Sequence, residues 1–194
     1  MLPYQYLNLD IQIGDWKSKI IDFEKRQMYC DARCQLVNIK SKNFLANLGL
    51  VPYYGMLWNW PPVKNLEDCI FHIDGSDNKS ILTLFALNFL LQGTPSITEW
   101  VEENKCTEIL DNTLDEIYQT THRAFLGNVI ADYSAPINQY PMLIRVDIPH
   151  RVRGDMITDT RWTYSMRFVS KKFKPISYHD ACSYLEEYIL VSAN

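Results

Sequence analysis

From Cys69 onward the sequence is a series of short apolar or alternating runs cut by turn residues, and this pattern points to strands. The run CIFHID (69–74) alternates apolar with polar, and GSDN (75–78) after it is strong turn chemistry. ILTLFALNFLL (81–91) reads as one buried strand or two, broken by Gly93-Thr94-Pro95, after which SITEWVEE (96–103) resumes a strand pattern. PMLIRVDIPH (141–150) reads as a strand ending at Pro149-His150, and RVRGD (151–155) as a turn. RWTYSMRFV (161–169) reads as a further strand, returning antiparallel beside the one that ends in His150. Its period of two puts Arg161, Thr163, Ser165 and Arg167 on one face.

Helical signals lie at the two ends. The first fifty residues are mixed, with a helix expected over about 41–48, stopped by Gly49 and followed by Pro52. Ser177 opens a terminal helix, Asp180 completes a capping pattern, and Tyr178, Ala181, Cys182, Leu185 and Ile189 form its apolar stripe. Residues 111–130 are ambiguous between a helix and an ordered excursion. The fold class expected is therefore mainly β with flanking helices, a β-sandwich or jelly roll. One domain is expected over 1–194, with a β core over about 50–170 and the helical N-terminal part and C-terminal helix as buttresses.

The chain has 194 residues, 47% apolar and 22% charged, enough to bury one substantial core. A net charge of −4 supplies no electrostatic reason to bind nucleic acid. No apolar run approaches the ~18–20 residues of a membrane span. Composition thus gives no reason to expect membrane or nucleic acid as a partner. The N-terminus lacks a basic region followed by an apolar one, so no signal peptide is expected. Among the five cysteines no Cys-x-x-Cys pair occurs; Cys30 and Cys34 would share a helical face, but no second Cys/His pair completes a zinc site. Reduced, mostly buried thiols in a cytoplasmic protein are expected.

The chemistry concentrates on three residues. His72 and Asp74, two apart in an expected strand, point to the same side of the sheet. His150, at a strand end, is the candidate third ligand. Two imidazoles and one carboxylate on a facial triangle leave coordination positions open, which suits non-haem Fe(II) sites that bind a cosubstrate and O2. His-x-Asp alone is a weak motif. The stretch after His150 strengthens it: Arg161 follows by eleven residues, with Thr163 and Ser165 on its face. An arginine fork grips a carboxylate bidentately and a hydroxyl adds a third hydrogen bond, so a dicarboxylate anchored there would reach the metal with its other end.

FHIDG (71–75), FALNF (85–89), IPHRVRG (148–154) and RWTYSMRF (161–168) together resemble the Fe(II)- and 2-oxoglutarate-dependent dioxygenases, specifically the short phytanoyl- or prolyl-hydroxylase-like sort found in phage and environmental genomes. The resemblance covers residues 50–170. It implies a double-stranded β-helix, also called a jelly roll or cupin-like fold. It implies His72, Asp74 and His150 as iron ligands and Arg161 as the anchor for the distal carboxylate of 2-oxoglutarate, assisted by Thr163 or Ser165. Asn88 would lie near the cosubstrate. Arg167 shares the face of Arg161, so either arginine is a candidate anchor, and spacing favours Arg161. The implied reaction converts 2-oxoglutarate and O2 to succinate and CO2 while hydroxylating an organic or peptidyl substrate. The rival readings are a cupin-like isomerase or hydrolase that uses the triad without 2-oxoglutarate, and a non-catalytic jelly-roll binding protein.

Other residues carry weaker signals. His179 reads as a surface histidine, and His122 as a surface histidine or, less favoured, a substrate contact. Tyr53, Tyr54, Trp58 and Trp60 read as core packing, or as walls of a substrate entrance. Lys171, Lys172 and Lys174 read as a solvated basic loop, with a phosphate- or nucleic-acid-binding run as the lesser alternative. Arg145, Arg151 and Arg153 are candidates to attract an anionic substrate, and Asp147 is either a partner for a ligand histidine or a strand-face residue.

Overall fold

The computed structural model describes residues 1–19, 27–61, 71–74, 83–109, 123–126, 129–153 and 159–190. Among these the protein is mainly β, with two antiparallel sheets and two helices. The first sheet takes β1 (Tyr4–Tyr6), β2 (Gln27–Ala32), β3 (Val51–Trp60), β5 (Phe85–Gln92), β10 (Met142–Arg145) and β12 (Arg161–Val169), in spatial order β1-β10-β5-β12-β3-β2. The second takes β4 (Phe71–Ile73), β6 (Ser96–Trp100), β7 (Thr107–Ile109), β8 (Arg123–Leu126), β9 (Tyr133–Ile137) and β11 (His150–Arg153), in order β7-β8-β4-β11-β6-β9. The helices are α1 (Ile39–Asn47) and α2 (Tyr178–Tyr184).

β12 shows how the layers arise. All nine of its residues are buried, because both faces of this strand are covered. Trp162, Tyr164, Met166 and Phe168 face a core that includes Leu45 near the end of α1 and Ala181 and Leu185 at α2. The alternate residues, Arg161, Thr163, Ser165 and Arg167, face the other way, toward the second sheet. There Ala86, Met142 and Ile144 of the first sheet pack against Trp100, Ala135 and Ile137 of the second, forming a β-sandwich.

The helix ends follow their caps. Asn38 accepts a hydrogen bond from the Ser41 amide (2.8 Å) and starts α1 two residues ahead of the expected Ser41. Gly49, at φ +96°, ends it as expected. Ser177 accepts from the Asp180 amide (3.0 Å) and donates to its carboxylate (2.7 Å), the reciprocal cap expected for α2.

Four expectations need correction. The N-terminal part is not a helical buttress alone: β1 and β2 form the two edges of the first sheet. The stretch 141–150 is not one strand. β10 ends at Arg145, bends follow, and Pro149, which has no N–H to give a ladder, separates it from β11 in the other sheet. His150 therefore opens a strand, and Arg151 to Arg153 lie within it rather than in a turn. Finally, β12 does not pair beside β11. It pairs with β3 and β5, and faces β11 across the sandwich. Of the ambiguous stretch 111–130, Arg123–Leu126 is a strand, and most of the rest lies outside the described residues.

A buried polar knot ties β2 to β12. Asp31, only 1% exposed, accepts from the Gln35 amide (2.7 Å), the Leu36 amide (2.8 Å) and the Tyr164 hydroxyl (2.8 Å). Gly55 makes room for that tyrosine, since a Cβ there would stand 2.0 Å from its hydroxyl oxygen. Replacing Gly55 with Ala is expected to destabilise the protein by about 3 kcal/mol, because the ring must move and loosen its bond to a buried carboxylate. Urea unfolding measures this, and a change below about 0.5 kcal/mol would contradict the packing described.

Candidate metal centre

His72 in β4 and His150 in β11 are direct register partners, so strand pairing itself sets the two imidazoles side by side. Their ring centroids are 4.6 Å apart. Asp74 follows β4 on the side of His72, and its amide donates to the Val146 carbonyl (3.0 Å) at the crossing between β10 and β11. Strand alternation plus this one backbone bond brings the carboxylate to the imidazoles. His72 Nε2 lies 3.3 Å from Asp74 Oδ1, and His150 Nε2 lies 3.8 Å from Asp74 Oδ2.

This group is positioned to bind a metal ion: one donor atom from each residue falls within 4.8 Å of the others. Donors ~2.1 Å from a metal and at right angles to one another stand about 3 Å apart, so the observed separations close with small side-chain rotations. The tautomer of His150 also fits. Its Nδ1 donates to the Ile148 carbonyl (3.0 Å), leaving the Nε2 lone pair turned toward Asp74. Asp147, one of the sequence candidates for that supporting role, pairs with Arg145 instead (2.9 Å).

Arg167, 2% exposed, completes the group by donating from Nη2 to Asp74 Oδ2. Burial alone would push the Asp74 carboxyl up, but the Arg167 guanidinium, with help from the two histidines, holds it well below the usual carboxylate range. Burial, then the neighbouring His72, lowers His150 to about 4. Both residues therefore sit in their metal-ligating protonation states at neutral pH.

In the unfolded chain His150 protonates near 6.5, while in the fold it resists protonation down to about 4. The unfolded state thus binds more protons in this window. The stabilisation is complete above pH 6.5 and is lost as pH falls toward 4, by of order 3 kcal/mol. The depressed Asp74 extends the loss below 3.8. Urea unfolding of metal-free protein between pH 7 and 4 measures it, and a flat profile would contradict a buried neutral His150.

The interior beside this group is polar. Register puts Asn88 of β5 next to Ser165 of β12, on the same inward face as Thr163 and Arg161. From the opposite sheet, Ser96 and Thr98 share the inward face of β6 with Trp100. Among the described residues, Asn88 Oδ1, Ser96 Oγ, Thr98 Oγ1 and Arg167 Nε and Nη1 are buried with no hydrogen-bond partner. Buried polar groups are nearly always bonded, so these unmet atoms on β5, β6 and β12 are hydrogen-bonding capacity that a polar ligand could satisfy. Ser96 and Thr98 were missed from sequence; their alternation with Trp100 was the available signal.

The other candidates disperse. Arg151 and Arg153 lie on the outer face of β11, away from the histidines, and both pair with the single carboxylate of Glu99 (2.8 and 3.6 Å). His179 is exposed on α2, and His122 lies outside the described residues. Tyr54, Met56, Trp58 and Trp60 share the inward face of β3 with the arginine row, whereas Tyr53 lies on the opposite face. Cys30 is exposed on β2 and Cys34 buried in the turn after it, so the two share no helix. No helix among the described residues is long and apolar enough to cross a membrane. Compared with models of known families and with curated proteins, the sequence matches none.

Proposed function

We propose that this protein is an Fe(II)- and 2-oxoglutarate-dependent oxygenase on a double-stranded β-helix, hydroxylating an organic or peptidyl substrate. The observation that carries this reading is the juxtaposition, across the sandwich, of the His72–Asp74–His150 group with the buried Arg161–Thr163–Ser165–Arg167 row. The fold half is supported by the path of the chain. It alternates between sheets through β3, β4, β5 and β6, and again through β9, β10, β11 and β12, so pairs form mainly between strands distant in sequence.

Each residue then has a role. His72, Asp74 and His150 would hold the iron, leaving positions for the cosubstrate and O2. Bound iron supplies the redox chemistry that couples decarboxylation of 2-oxoglutarate to oxidation of the substrate. Arg167 orients Asp74, keeping one carboxylate oxygen for itself and leaving Oδ1, beside His72, to the metal. Arg161 lies six residues, about 20 Å between Cα atoms, along β12 from Arg167, so its long side chain must lean back along the row for one five-carbon dicarboxylate to reach both it and the metal. Its guanidinium would take the distal carboxylate, with Thr163, Ser165 and Asn88 lining the space between. The low dielectric of this buried row strengthens each of these contacts and excludes water.

The test is turnover: 2-oxoglutarate consumed and succinate formed in the presence of Fe(II), O2 and ascorbate, without added substrate if uncoupled turnover is fast enough. A 2-oxoglutarate-dependent visible band in the anaerobic Fe(II) protein is the second readout. Absence of both would overturn the reading in favour of a metalloprotein that does not use 2-oxoglutarate.

A further inference from the structure

The turn after β12 carries an unusual side chain in an unusual conformation. Phe173 is 63% exposed and sits at φ +55°, a left-handed backbone that bulky residues rarely adopt. The turn is well built, not loose. The Phe173 amide donates to the Ser170 carbonyl (2.9 Å), the Ser170 amide donates to the Lys174 carbonyl (2.9 Å), and the Lys174 amide donates to Ser170 Oγ (3.0 Å). A strained residue held in place by its surroundings, with its ring turned to solvent, is a feature that folding alone does not call for.

Its neighbours are Lys171, Lys172 and Lys174, all exposed and none ion-paired among the described residues. An exposed apolar ring flanked along the chain by three exposed cations complements a surface that is anionic outside and apolar inside. A single-stranded nucleic acid fits less well: such strands lie in grooves and stack on several rings, whereas this is one ring on a protruding turn. The turn also has a definite place. It leaves β12 three residues after Arg167, the partner of Asp74, so it lies at the metal-binding end of the sandwich. Val51, Pro52 and Tyr53, half-buried at the start of β3, continue the apolar character of this rim.

We propose that the 170–175 turn docks the protein on an anionic bilayer, with Phe173 entering the boundary between headgroups and acyl chains and the three lysines meeting lipid anions. A membrane partner was unexpected from sequence because no segment spans a bilayer; one inserted ring needs no such segment. Docking would bring the metal-binding end of the sandwich to the membrane surface.

The test is sedimentation of the full chain with phosphatidylcholine vesicles containing about one third phosphatidylserine, against pure phosphatidylcholine. It needs neither metal nor cosubstrate, so it stands or falls apart from the proposed activity. Binding to the anionic vesicles alone, weakened by salt, is expected. Lys171→Gln, Lys172→Gln and Lys174→Gln should each weaken it about fivefold. Phe173→Gly should abolish it while leaving the melting temperature unchanged or higher, because glycine relieves the backbone strain. Failure of the wild-type chain to sediment with anionic vesicles overturns the proposal, as does undiminished binding by the variants. Binding of a single-stranded oligonucleotide through these residues, without vesicle binding, overturns it in favour of nucleic acid.

Discussion

Replacing Asp74 with Ala is expected to lower metal affinity more than about 100-fold and to destabilise the metal-free protein by about 3–5 kcal/mol. The first effect follows from losing the anionic ligand that pairs with both imidazoles. The second follows from Arg167, which is 2% exposed and loses the carboxylate that its buried charge pairs with. Asp74→Asn separates the two effects. It keeps the shape and a hydrogen-bond acceptor for Arg167, so it should fold more stably than the Ala variant yet bind metal nearly as poorly. Titration with Co(II), followed by its visible absorption, reports affinity, and urea unfolding reports stability. An Asp74→Ala protein that binds Co(II) as tightly as wild type would remove the triad from consideration.

The two buried arginines of β12 should respond in opposite ways to loss of their fork. Arg161→Gln is expected to weaken 2-oxoglutarate binding about 100-fold while leaving metal affinity within a few-fold of wild type. Arg167→Gln is expected to do the reverse, changing metal affinity and the acid limb of stability while leaving 2-oxoglutarate affinity less affected. The reason is geometric. Arg167 is already committed to Asp74, whereas Arg161, 1% exposed, lies at the far end of the inward row. Binding of 2-oxoglutarate to the anaerobic Fe(II) form, read from its visible band, distinguishes them. If Arg167→Gln abolishes binding and Arg161→Gln does not, the anchor is Arg167.

Local chemistry was the legible part. The inward face of β12, the reciprocal cap of α2 and the stop at Gly49 follow from side-chain period, hydroxyl capping and glycine backbone freedom, which need no distant partner. The His72–Asp74 pair was legible for the same reason, since any extended backbone puts i and i+2 on one side. The errors arose where a residue's role depends on its surroundings. RVRGD reads as a turn, yet Arg151 and Arg153 lie in a strand, where they share the carboxylate of Glu99 from the neighbouring strand. The 141–150 stretch reads as continuous because its apolar content does not change where the chain passes from one sheet to the other.

The sequence by itself determined a mainly β chain, the side of the strand that His72 and Asp74 share, and the arginine-and-hydroxyl face of residues 161–167. Only the tertiary structure decided that His150 opens a strand in register with His72, and that β12 faces this pair from the opposite sheet. It also gave Arg167 to Asp74 and left the Ser96 and Thr98 hydroxyls buried without a hydrogen-bond partner among the described residues. The physical reason is that periodicity specifies which way a side chain points from its own strand, while strand pairing between residues some eighty positions apart specifies what it points at.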